Sequence, residues 1–144
     1  MQRIALAMAA VCALAGSAQA ADNAVTSGTF VIERPTLLSL GFEWKISGDD
    51  NRNAAVIVTY RKTGQATWRQ ALPMLRMGGE FIAGPKPQYG GLNYYNYTVP
   101  PAFAGSVLGL QPDTAYDVHF AMRDPDGVNG EAEKTVTVRT RAIP

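Results

Sequence analysis

From Leu38 to Ile46 every second residue is apolar: Leu38, Leu40, Phe42, Trp44 and Ile46 alternate with Ser39, Gly41, Glu43 and Lys45. A helix repeats about every 3.6 residues and would scatter this row around its circumference, whereas a strand gathers it on one side. The segment can bury its apolar row only as an antiparallel strand with one covered and one wet face. The same period recurs downstream. Val56, Val58 and Tyr60 oppose Ile57 and Thr59; Tyr116, Val118, Phe120 and Met122 oppose Asp117, His119 and Ala121; Val136 and Val138 oppose Thr135, Thr137 and Arg139. Phe103 to Leu110 is a further ordered apolar stretch.

Turn residues separate these runs. Gly48-Asp49-Asp50-Asn51-Arg52-Asn53 reads as a loop that cannot pack into a core, Arg61-Lys62-Thr63-Gly64 returns the chain to Thr67-Trp68-Arg69, and Asp124-Pro125-Asp126-Gly127 is turn chemistry. No amphipathic helix of ordinary length competes. Six or seven short strands in one domain-sized chain predict an all-β, two-sheet antiparallel β-sandwich. Between about residues 73 and 101 the period is lost among Gly, Pro and Tyr, and this stretch reads as an irregular insert.

The N-terminus follows other rules. Arg3, an apolar run from Ile4 to Ala15 and the small-residue exit Ala18-Gln19-Ala20 read as a signal peptide over residues 1–20, with export to the periplasm or the exterior. The run is too short to span a bilayer, so no membrane insertion is expected. The lone cysteine, Cys12, would leave with the signal, so residues 21–144 must hold by packing without a disulfide. Of 13 basic residues Arg3 would also leave, so 12 face 12 acidic ones. That balance disfavours nucleic acid as a partner.

Within the β pattern, Gly109-Leu110-Gln111-Pro112-Asp113-Thr114-Ala115-Tyr116 resembles the fibronectin type III signature G-L-x-P-x-T-x-Y that leads into the sixth strand. Tyr116 can bury its ring there and return its hydroxyl to the backbone upstream. Trp44 resembles the core tryptophan of the family's second strand, Tyr60 the aromatic of its third, and Val136-Thr137-Val138-Arg139-Thr140 its last strand. The likeness runs over about residues 28–141 and implies an immunoglobulin-like topology with Trp44, Tyr60, Leu110 and Tyr116 in the core. It also implies a non-catalytic module that spaces domains, docks a neighbouring domain, or binds a protein or glycan. The alternative it implies is an N-terminal accessory domain of a secreted carbohydrate-active enzyme of the β-helix type, or of a metallophosphatase. The insert is longer than the family's usual connection. Asp124 to Gly130 lacks Arg-Gly-Asp, which leaves integrin adhesion unsupported.

Groups suited to catalysis are few. His119 is the one histidine and alternates away from the buried row; Ser106 does not match a nucleophile elbow and falls on a strand. Neither points to a reaction, and no cofactor is expected. Asp124 to Gly130 and Asp49-Asp50-Asn51 carry oxygen ligands that read as turn formers, with weak calcium binding as the other reading. Recognition is expected in the insert, where Tyr89, Tyr94, Tyr95 and Tyr97 set four amphipathic rings close together.

Overall fold

The computed structural model describes residues 21–83 and 96–144. Residues 1–20 and the rings of Tyr89, Tyr94 and Tyr95 lie outside the described residues. In chain order the strands are β1 (Val25–Ile32), β2 (Leu40–Gly48), β3 (Ala55–Lys62), β4 (Arg69–Gln70), β5 (Leu75–Met77), β6 (Phe81–Ile82), β7 (Tyr97–Thr98), β8 (Ala102–Val107), β9 (Ala115–Arg123), β10 (Val128–Asn129) and β11 (Glu133–Arg139). Two main sheets result, ordered β10-β1-β2-β8-β5 and β11-β9-β3-β4, and β6 and β7 form a separate two-stranded ribbon. Among the described residues every pairing is antiparallel except the short parallel β1–β10 contact. The all-β sandwich expected from the alternation is what the chain forms.

The core lies between the main sheets. Leu40, Phe42, Trp44, Phe103 and Val107 from one layer meet Val56, Val58, Val118, Phe120 and Met122 from the other, all buried in one cluster. Rings interlock edge to face: Phe42 lies 4.8 Å from Phe120 at 67°, and Phe30 lies 5.5 Å from Trp44 at 84°. Each buried large side chain contributes about 1.5–3 kcal/mol by leaving water, so the fold holds without a covalent link. Trp44, Leu110 and Tyr116 belong to this cluster, and Tyr60 packs half-buried against it, 6.2 Å from the Tyr116 ring. The Tyr116 hydroxyl accepts the Gln111 amide N–H at 3.0 Å and ties the turn before β9 to the strand. One polar atom is left out: Trp44 Nε1 is buried without an acceptor among the described residues.

Four expectations need correction. The alternation does not begin at Leu38, which is 54% exposed. The Thr36 hydroxyl accepts the Leu38 and Ser39 amides and bends the chain there, so the buried row starts at Leu40. Strand β1 precedes every strand read from the sequence and shows no clean alternation, because its register shifts between Ser27 and Phe30. The stretch 73–101 is not wholly irregular, since β5 adds to the edge of β8 and β6 pairs with β7. Lastly, the loop after β2 does enter the interior: Asp49 is completely buried.

Candidate functional site

Asp49 explains how the insert is held. It sits in the left-handed region at φ 55°, a conformation short polar side chains tolerate. Its carboxylate accepts the Ala54 amide at 3.0 Å and the Arg76 Nε from β5. A buried carboxylate is stable only when paired in this way, so the ion pair clamps β5 to the loop between β2 and β3. After β5 the chain turns outward at Gly78, where φ is 119° and an added Cβ would stand 2.4 Å from Pro101 Cα. Only glycine fits there.

Arg52 fixes the stem that follows. Its guanidinium donates to the Gly78 carbonyl and, at 3.0 Å, to Glu80 Oε1. The other Glu80 oxygen accepts the Gly78 amide at 2.7 Å. Backbone N–H donors, together with Arg52, hold the Glu80 carboxyl below the usual glutamate range. Gly79 and Val99 then exchange backbone bonds with Val99 and Glu80, at 2.9 Å each, and lead into the ribbon.

The ribbon carries apolar surface outward. Phe81 is 62% exposed, Ile82 54% and Tyr97 51%, on strands of two residues each. Of the four tyrosines expected to contribute to recognition, Tyr97 is the one among the described residues. Beneath it, Tyr97, Val99, Pro100 and Met77 form one side of a groove of about 460 Å³ over the outer face of the larger sheet. Its floor is made small by Gly41, Ala104 and Ser106, with Glu33 and Glu43 along the side. Ser106 thus lies on a strand and faces this groove.

The two acidic loops converge at the same end of the sandwich. Asp126 accepts Asn51 Nδ2 at 2.7 Å and Asn53 Nδ2 at 2.9 Å, which lowers its pKa. Asp124 accepts the Val25 and Asp126 amides, both at 2.8 Å, and Asp50 accepts the Asp22 amide at 2.9 Å. These carboxylates close loops onto one another. Among the described residues no three His, Cys, Asp or Glu side chains are grouped to hold a metal ion.

A second constellation occupies the outer face of the smaller sheet. Trp68, 38% exposed, lies under the Arg61 guanidinium at 4.5 Å and edge-on to His119 at 6.2 Å. Asp117 receives Arg61 Nε at 3.0 Å and the hydroxyls of Thr63 and Thr137 at 2.9 Å, and these donors hold its carboxyl below the usual range. His119 is on the outer face, as its alternation predicts, 3.7 Å from Glu133. Sequence reading passed over Trp68 because it precedes a two-residue strand and has no period to place it. The signal available was that Arg61, Asp117 and His119 all alternate outward on strands expected to pair.

No protein-family model and no curated protein matches the chain. Among solved structures it is similar to part of astrotactin-2, described as a conserved vertebrate-specific and perforin-like membrane protein involved in neuronal development. The identity is 14% and the TM-score 0.48, over 83% of this chain and 22% of the length of that one.

Proposed function

We propose that this chain is a secreted, non-catalytic module of the fibronectin type III kind that works by contact, with the β6–β7 ribbon as its recognition surface. The observation that carries the reading is the exposure of Phe81, Ile82 and Tyr97 on a projection that a buried ion pair and Arg52 hold in place. Ordered apolar surface costs solvation free energy unless something covers it, and aromatic rings lose little entropy when they become fixed on a partner. Support for the family comes from the order β1-β2-β8 facing β11-β9-β3-β4, together with the Tyr116 hydroxyl anchored on Gln111. Export through residues 1–20 belongs to the same proposal.

The partner is a protein, a glycan or a neighbouring domain. A glycan array and a binding screen against extracellular proteins, run with the wild type and with Phe81→Ser/Tyr97→Ser, test it. Ligands lost by the double variant while its thermal midpoint is unchanged support the ribbon; ligands retained in full refute it.

A second reading, the accessory domain of a secreted carbohydrate-active enzyme or metallophosphatase, is favoured by a different apolar patch. Leu37 and Leu38 are exposed beside Pro35 and Arg141, where the chain leaves β11. A reading frame that continues past Pro144 into a catalytic domain supports it, and a stop codon there removes it.

A further inference from the structure

At the far end of β3 from Arg52, the ends of β3 and β4 and the turn before β9 enclose a cavity of about 150 Å³. Eight residues of strand separate it from the ribbon's anchor, on the order of 25 Å. Its polar lining includes Tyr60, Lys62, Gln65, Arg69, Gln111 and Tyr116, and no Asp or Glu side chain is among the described residues that line it.

These groups offer donors that the protein leaves unused. Lys62 Nζ donates to Gln111 Oε1 at 2.6 Å, which leaves two ammonium protons and the Gln111 side-chain amide able to donate. The Tyr116 hydroxyl already accepts the Gln111 backbone N–H, so its own proton points to an acceptor that none of the described residues supplies. Tyr116 is nevertheless buried. Tyr60 and Arg69 stand opposite each other in the β3–β4 register and so share a face, and neither the phenol nor the guanidinium has a hydrogen-bond partner among the described residues. Arg61 also borders the cavity, but its guanidinium is committed to Asp117 and Trp68 on the outer face.

Two cations and two phenols thus line one cavity from both strands and from the turn, with no carboxylate among the described residues that line it. Hydrogen bonds from cationic donors to an anion are stronger than neutral ones, and one anion can accept from several of these donors at once. We propose that this cavity binds a tetrahedral oxyanion, a phosphate or sulfate, either as the free ion or as an ester on a larger ligand. Donors approaching from several directions suit a tetrahedral group better than a planar carboxylate. The site is independent of the ribbon and stands whether or not the ribbon binds a partner.

Amide NMR titration of the purified chain with inorganic phosphate, inorganic sulfate and acetate tests it. Saturable shifts at Leu110 and Gln111 with both tetrahedral ions are expected. Arg69→Gln, on an exposed edge, should weaken binding about tenfold through loss of one charge-assisted hydrogen bond. Arg123→Gln, at the other pole, should leave it unchanged. A sulfated monosaccharide that produces the same shifts identifies an ester as a ligand, and one that fails while inorganic sulfate binds identifies the free ion. Shifts that stay linear in ion concentration, acetate binding as tightly as sulfate, or Arg69→Gln and Lys62→Gln both binding like wild type would each overturn the proposal.

Discussion

The Asp49–Arg76 pair makes the strongest claim on stability, and Arg76→Met tests it. Asp49 has no exposed side-chain surface and Arg76 only 13%. In the wild type the carboxylate has two N–H partners, Arg76 Nε and the Ala54 amide. Methionine keeps an apolar stem beside its cross-strand partner Phe103 but loses the guanidinium that lies 5.9 Å from that ring's centre, and it leaves a buried charge with one neutral donor. Breaking such a pair costs about 3–5 kcal/mol, and the retained packing places this variant near the lower bound, about 3 kcal/mol. For a domain of this size that corresponds to a fall of about 10–15 °C in thermal midpoint. Urea unfolding followed by tryptophan fluorescence is the assay, since buried Trp44 changes environment on unfolding far more than Trp68. Asp49→Asn added to Arg76→Met removes the stranded charge, keeps an oxygen for the Ala54 amide and tolerates the positive φ. It should recover about 1–2 kcal/mol. A loss below about 1 kcal/mol for the single variant, or no recovery in the double, would refute the view that the insert is clamped by a buried charge pair.

Two further outcomes follow from the same geometry. Tyr116→Phe removes the hydroxyl that accepts the Gln111 amide and should cost about 1 kcal/mol, read as a lower urea midpoint with an unchanged slope. Asp117 titrates below its ordinary value because Thr137, Thr63 and Arg61 donate to it, so the folded state binds its proton less readily than the unfolded chain. Its contribution is therefore present above the ordinary aspartate value of 3.8 and is lost as pH falls through the lower folded value. Urea midpoints measured through that acid range should fall less steeply for Asp117→Asn than for wild type; parallel slopes would contradict the assignment.

What could be read in advance was whatever repeats every second residue. Leu40 to Ile46, Val56 to Tyr60 and Tyr116 to Met122 each declare one buried face, and antiparallel layers are the way several such faces cover one another. The Gly109–Tyr116 turn was legible too, because its conformation is set by neighbours in the chain. Strand β1 was not, since a bulge shifts its period, and β5, β6 and β7 were not, since strands of two or three residues are too short to show one.

Long-range contacts were illegible for a different reason. Asp49 belongs to a run of turn residues and looks like any other loop acid until Arg76, 27 positions on, is brought to it. Arg52 likewise meets Glu80, 28 positions on and next to the exposed Phe81 and Ile82, only in the folded chain. Trp68 meets His119, and Lys62 meets Gln111, only after β3 and β9 have paired. Local periodicity determined the class of fold, because alternation is a property of the chain itself. Which polar groups were buried, paired or left with unused donors was decided by the tertiary structure, because a charge's environment is made by residues distant in sequence.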